Sequence, residues 1–157
     1  MTPDEAARLV EEYRASIDAE LTLLRQLAAV AHDQHQVTAA SDFDAFNRVA
    51  DRRDAIMRSL VTIEEGIRTV RQQLTVHHEL AAHVDGYDQV VARHREAADL
   101  VNMILATDQK SISALADAEL ARRSAMASLE RGENTLAAYR RVLAPPVSSA
   151  RLINKIG

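Results

Sequence analysis

The sequence predicts an all-α fold, an antiparallel three-helix bundle or coiled coil with an extended C-terminal helix and tail. The first observation is composition: 47% of the 157 residues are hydrophobic and only 3% are aromatic, with four glycines and three prolines. A chain rich in Ala, Leu, Arg and Glu with so few turn residues is typical of long helices. The second observation is that apolar residues recur in steps of three and four through most of the chain, which is the spacing of one helix face.

The first predicted helix spans residues 4–36. Thr2 can cap its start, and Pro3 suits the first helical position. The acidic residues Asp4 and Glu5 favour the positive end of the helix dipole. Its apolar stripe consists of Val10, Tyr13, Ile17, Leu21, Leu24, Ala28 and Ala31.

The second predicted helix spans residues 42–84 and follows a turn at which Ser41 or Asp42 can act as the cap. Its stripe persists for several heptads, which indicates a coiled coil, and the short connections make neighbouring helices antiparallel. Arg53 and His77 interrupt the stripe, and we expect both to lie along the helix contact with their polar ends reaching water. The stripe consists of Phe46, Val49, Arg53, Ile56, Leu60, Ile63, Ile67, Val70, Leu74, His77, Ala81 and Val84.

The third predicted helix spans residues 87–143 and begins after a turn at Gly86. Pro145 and Pro146 end it, because the residue before a proline disfavours the helical region. Asp108 lies on its stripe, either as a buried residue that sets the register or as an exposed residue. The stripe weakens between 116 and 125 and consists of Tyr87, Val91, His94, Ala98, Val101, Leu105, Asp108, Ile112, Leu115, Met126, Leu129, Leu136, Tyr139 and Leu143.

Helix length places the end of the third helix outside the bundle. At 1.5 Å per residue the three helices are roughly 50, 65 and 85 Å long, so the third outruns its neighbours beyond about residue 130. Gly132 lies near that point and weakens the helix there. The sequence therefore predicts a three-helix coiled-coil body at 1–130, followed at 131–157 by a partner-binding helix extension and a flexible tail.

The overhanging helix is expected to expose an apolar face without cover from its own chain, and such a face favours partner binding. The segment 139–157 adds four basic residues and no acidic one. The alternative is that the tail folds back along the second helix and covers an apolar groove. The predicted partner-binding residues are Met126, Leu129, Leu136, Tyr139, Leu143, Leu152, Ile153 and Ile156.

No combination of residues predicts catalysis, a cofactor or a metal site, so we do not expect an enzyme. The chain has no cysteine, which excludes disulfides and thiolate zinc sites. In "HHELAAH" at 77–83, His78 and His83 are five residues apart, too wide on a helix face for one metal ion. No glutamate has a histidine three residues later, as di-iron bundles require. His32 and His35 could share a ligand, but exposed histidines at a helix end are the more common case.

Charge and hydropathy favour a cytoplasmic protein. The net charge is −4, and the chain lacks the broad basic face that nucleic-acid binding needs. The N-terminus has no apolar signal region, and no run of about 18 apolar residues predicts a membrane span. Peripheral membrane binding through the basic tail is the weakest alternative.

Two stretches resemble the FlgN family of flagellar type III export chaperones. The hairpin "DQHQVTAASDFDAFNRVADRRDAIMRSL" at 33–60 resembles the family's helix end, small residue, Asp and apolar residue, followed by a helix with a basic residue. The stretch "SLERGENTLAAYRRVLAPPVSSARLINKIG" at 128–157 is similar to the family's Leu-x-x-Gly, Tyr, short loop and final Arg-apolar-apolar and Lys-x-Gly. Phe46 stands where the family often has Leu, and the ending "LINKIG" departs from a more usual ending with Asp.

The resemblance implies a chaperone in bacterial flagellum assembly. It would bind a hook-associated protein of the hook–filament junction, keep it soluble and deliver it to the type III export gate. The resemblance also implies that Leu136 and Tyr139 lie on the helix that contacts the substrate and the gate. The alternative is a self-associating structural coiled-coil module, a homodimer with no chaperone role.

Overall fold

The computed structural model describes residues 1–116 and 122–143. The described residues form five helices and no strand: α1 Pro3–Ala39, α2 Phe43–Val76, α3 His78–Ala81, α4 Tyr87–Leu115 and α5 Arg122–Leu143. The predicted all-α helical bundle is confirmed. The predicted helix at 42–84 ends earlier, at Val76, and the short α3 follows it. The predicted tail contacts Leu152, Ile153 and Ile156 lie outside the described residues.

Local sequence signals fix where the long helices begin. Thr2 Oγ1 accepts a hydrogen bond from the Glu5 N–H at 3.2 Å, and the Glu5 carboxylate accepts one from the Thr2 N–H at 2.7 Å. Asp42 caps α2 by accepting from the Ala45 N–H at 3.0 Å. Gly86 precedes α4 with a φ of 90°, in the left-handed region that glycine adopts without strain. These starts agree with the predicted caps and turn.

The four long helices pack as a ring in the order α1, α2, α5, α4. Helix α1 contacts α2 and α4, and α5 contacts α4 extensively and α2 less so. Two hydrogen bonds show that α5 runs antiparallel to α4: Gln109 donates to Glu133 at 2.6 Å, and Arg140 donates to Asn102 at 3.1 Å. In this ring, α5 lies opposite α1 and contacts α2 and α4.

The expected continuous helix at 87–143 is wrong, and so is the expected overhang. Helix α4 ends at Leu115, and α5 returns along it, so that Leu129, Leu136 and Leu143 are buried by their own chain. The length calculation assumed one straight helix. The weak stripe between 116 and 125 offers few large side chains to continue that helix. Packing α5 back on the bundle instead buries its own stripe, at about 1.5–3 kcal/mol for each large side chain.

Gly132 lies where α5 packs closely against α2, and not where a helix loses its neighbours as the sequence predicted. A Cβ at this position would lie 2.8 Å from both Nε and Nη2 of Arg53. Arg53 itself is 0% exposed, so the expectation that its polar end reaches water is wrong. Helix α5 can approach α2 here only because residue 132 has no side chain.

Glycine-to-alanine substitutions at two helical positions should therefore have opposite effects on stability. Gly132→Ala should lower the free energy of unfolding by about 1–3 kcal/mol, because the new Cβ displaces a buried guanidinium. Gly66→Ala in α2 is the matched control, since a Cβ there meets nothing within 4 Å. It should raise stability by about 0.5–1 kcal/mol. Urea denaturation measures both, and an equal gain from the two variants would contradict the contact.

Candidate functional site

Helix α5 covers two groups of buried polar side chains, which we name for one member of each. The Arg53 cluster consists of Gln34, Arg53 and Asp108, from α1, α2 and α4 respectively. The Glu20 cluster lies about three to four helical turns or more further along the bundle. It consists of Tyr13, Glu20, Glu64, Arg71, His94 and Tyr139. Every long helix contributes a residue to, or lies directly against, each cluster.

The Arg53 cluster is a fully buried ion pair. Arg53 Nη1 donates to Asp108 Oδ1 at 2.6 Å, and its Nη2 donates to Oδ2, so the pairing is bidentate. Gln34 Oε1 accepts a third bond from Nη1 at 3.2 Å. Burial raises the pKa of Asp108, and the Arg53 guanidinium opposes that rise. A buried pair of this kind adds little net stability but strongly disfavours any register that separates its partners.

In the Glu20 cluster, Arg71 is the central cation. It donates two bonds to the Glu64 carboxylate, one of them Nη2 to Oε2 at 2.6 Å. Its Nε donates to the Tyr13 hydroxyl at 3.2 Å, and its guanidinium carbon lies 5.7 Å from the Tyr13 ring centroid. This cation is therefore shared between α1 and α2.

His94 links the Glu20 cluster to α4 and α5. The Tyr13 hydroxyl oxygen accepts from Arg71, so its hydrogen is assigned to the bond with His94 Nδ1 at 3.0 Å. The ring is then neutral, with its proton on Nε2. Burial, assisted by the charge of Arg71, lowers the pKa of His94 to about 3. The backbone of Leu143, at the end of α5, lies close to the ring.

Glu20 is the least satisfied member of the cluster. Its side chain is 0% exposed, and neither carboxyl oxygen has a hydrogen-bond partner among the described residues. Burial and the neighbouring Glu64 charge raise the pKa of Glu20 to about 7, against opposing effects of Tyr139 and Arg71. The Tyr139 hydroxyl lies beside Glu20 but does not meet it in ordinary hydrogen-bond geometry. Burial and Glu20 raise the pKa of Tyr139.

Two open clefts follow the contact between α2 and α5, which we call the α2–α5 seam. One, of about 490 Å³, lies beside Gly132, and the other, of about 360 Å³, reaches Glu64 and Tyr139. Val61 lines both clefts and is 40% exposed. The second cleft therefore brings the surface of the bundle next to Glu64 and Tyr139, two members of the Glu20 cluster.

The predicted partner-binding residues that the structure describes lie on α5, but they face inward. Leu129, Leu136, Tyr139 and Leu143 are buried, and Met126 is partly buried. The structure brings them together along one stripe against α4 and α2, and a partner can contact that stripe only when α5 moves. Their assignment to partner binding stays a prediction.

Sequence reasoning identified some members of the polar clusters and missed others. It placed Arg53, His94 and Asp108 on apolar stripes, and the structure shows all three buried. It missed Glu20 and the pair of Glu64 and Arg71. A signal was present, because seven-residue spacings relate Tyr13 to Glu20 and Glu64 to Arg71, and that spacing places residues on one helix face.

The histidines considered as ligands do not form a metal site in the structure. His77 and His78 are partly buried near α3, and His83 is exposed. His35 Nδ1 lies 3.2 Å from Ser111 Oγ, and His32 is exposed. Within 1–116 and 122–143, no group of three or more His, Asp or Glu side chains is arranged to hold a metal ion. In the same ranges, no helix combines the length and apolar character that crossing a membrane requires.

Comparisons with protein-family models, with curated protein sequences and with solved structures gave no match to this chain.

The Arg53 cluster generates a prediction about non-additive stability effects. Arg53→Met or Asp108→Leu alone should lower the free energy of unfolding by about 3–5 kcal/mol, because each leaves a buried charge without its partner. The double variant should lose much less than the sum of the two single losses. The control is Arg25→Met, which removes an exposed pair with Glu96 and should cost at most about 1 kcal/mol. Urea denaturation of all four variants would contradict the pairing if the two single losses simply added.

Proposed function

We propose that this protein is a cytoplasmic flagellar export chaperone. It binds a hook-associated protein, keeps that protein soluble and delivers it to the type III export gate. The resemblance of residues 33–60 and 128–157 to the FlgN family supports this role. The main structural support is that α5, which holds the predicted partner-binding stripe, is packed over buried polar groups that lack hydrogen-bond partners among the described residues.

Those unpartnered groups weaken the docking of α5. They are Arg53 Nε, both Glu20 oxygens, the Tyr139 hydroxyl and His94 Nε2. A buried polar group without a partner costs about 1–3 kcal/mol. When α5 moves away, water can reach these groups, and part of that cost is recovered. The free energy needed to release α5 is therefore smaller than the burial of its leucines alone would require.

A released α5 presents a surface that suits an amphipathic helical segment. Its stripe from Leu129 to Leu143 extends over about 21 Å, or roughly four helical turns. The facing groove on α2 and α4 becomes accessible at the same time. A partner helix with apolar residues at steps of three, four and seven can bury this stripe. Shielding such a segment keeps a subunit from aggregating before assembly, and no catalytic step is needed.

Locking α5 to α4 should therefore block partner binding. Gln109 and Glu133 are hydrogen-bonded across these helices, and the chain has no cysteine, so Gln109→Cys with Glu133→Cys allows a unique link by a short bis-maleimide. We expect the linked protein to bind a purified hook-associated protein at least about tenfold more weakly than the same variant before linking. Calorimetry or fluorescence anisotropy measures the affinity.

The control is Gln109→Cys alone treated with the same reagent, which should bind as the unmodified protein does. Equal affinity of the linked and unlinked double variant would contradict binding through release of α5. Absence of binding by every form would contradict the chaperone function itself. A stable dimer without a partner, lost on Leu136→Asp, would instead support the self-associating module.

A further inference from the structure

The Glu20 cluster holds more acid than base. Two carboxyl groups, Glu20 on α1 and Glu64 on α2, share their surroundings with one cation, Arg71. The hydrogen bonds of Arg71 go to Glu64 and Tyr13, and none goes to Glu20. The cluster is therefore electrically neutral only when one carboxyl carries a proton, and the free carboxyl is that of Glu20.

Each helix around Glu20 contributes groups that respond to its charge. Helix α2 presents Glu64 and Arg71, helix α5 presents the Tyr139 hydroxyl, and α1 itself presents Tyr13. Helix α4 presents neutral His94, which is bonded to Tyr13. None of these is a second cation within the cluster, so an ionised Glu20 has no charge partner of its own and depends on the Tyr139 hydroxyl and on water.

Water can reach Glu20 most directly from the α2–α5 seam. The cleft of about 360 Å³ in this seam is lined by Glu64 and Tyr139, the two residues that face Glu20. Helix α5 also contacts α2 less extensively than it contacts α4, whereas α1 packs closely on both α2 and α4. Hydration of Glu20 therefore separates α5 from the bundle before it separates α1.

We propose that the protonation state of Glu20 controls the docking of α5. With the proton present, α5 stays packed on α2 and α4. When the proton is lost, the α2–α5 seam opens first, α5 then leaves α4 as well, and the stripe of α5 becomes accessible. Loss of this proton would then regulate partner binding, so the inference rests on the proposed function. The proton-controlled movement of α5 can itself be tested without any partner.

The direction of the pH dependence follows from the environment of the carboxyl. Burial and the Glu64 charge raise the pKa of Glu20 from 4.5 to about 7 in the docked state, against opposing effects of Tyr139 and Arg71. A raised pKa means that docking is most stable below about 4.5 and loses stability as the pH rises through about 7. His94 acts in the opposite sense, because its pKa is lowered from 6.5 to about 3, and docking loses that contribution only as the pH falls below 6.5. Above 6.5 the change is due to Glu20.

The test measures the distance between α4 and α5 as a function of pH in the full chain. Asn102 and Arg140 are exposed and hydrogen-bonded across these helices, so Asn102→Cys and Arg140→Cys place two nitroxide labels at the contact. Pulsed electron paramagnetic resonance then reports docked and open populations. We expect the equilibrium constant for opening to rise about two- to threefold between about pH 6 and about pH 8, because protonation of His94 in the open state offsets part of the roughly tenfold effect of Glu20 near pH 6. The Glu20→Gln variant should stay docked across that range.

Two further variants make the result specific to Glu20. Glu12→Gln changes an exposed glutamate on the same helix and should leave the pH dependence unchanged. Tyr139→Phe should move the transition to higher pH, because the Tyr139 hydroxyl favours the ionised carboxylate. If circular dichroism shows that Glu20→Gln does not fold, the shift in Tyr139→Phe alone tests the role of Glu20.

A distance that stays constant with pH in the parent would overturn the inference, as would equal opening in Glu20→Gln. An unshifted transition in Tyr139→Phe would also overturn it. None of these three outcomes would affect the cross-linking test of the proposed function. That experiment asks whether α5 must move for a partner to bind, and not what causes the movement.

Discussion

Two buried guanidinium groups on α2 determine how the long helices fit together. A buried cation must be paired, and each of these recruits groups from neighbouring helices. Arg53 takes its carboxylate from Asp108 on α4 and a third bond from Gln34 on α1. Arg71 binds Glu64 on its own helix and the Tyr13 hydroxyl on α1. A shift of α1, α2 or α4 by one turn would separate these partners, so the pairs fix the register that the apolar stripes alone leave open.

The same constraint gives α5 its particular position. Gly132 lies against the Arg53 guanidinium, where a side chain would collide with it, and Tyr139 lies beside Glu20. The helix therefore docks in one register, yet the layer beneath it contains polar atoms that have no hydrogen-bond partner within 1–116 and 122–143. Apolar burial favours docking, and unsatisfied polar groups oppose it. This balance is the basis of the proposed chaperone function, in which α5 leaves its contacts with α2 and α4 and binds a partner instead.

The sequence predicted the local features of the fold better than the path of the chain. Capping by Thr2 and the turn at Gly86 depend on neighbouring residues, and both were predicted. The return of α5 was not, because a stripe in steps of three and four is the same whether a helix continues or reverses after a break. Arg53 was expected to reach water, because long charged side chains usually do. Its burial depends on Asp108 of α4, and the sequence does not show that these two residues meet. Hydrogen bonds and ion pairs between helices depend on which helices are neighbours, and the periodicity of the sequence does not determine that.

Native-state hydrogen exchange tests most directly whether α5 is a separately releasable element. The account predicts that the amides of α5 open together, with a free energy clearly below that of global unfolding and below that of the central turns of α1. Urea should then promote α5 exchange at concentrations at which α1 remains protected. Exchange of α5 only through global unfolding, with protection equal to that of α1, would contradict the account.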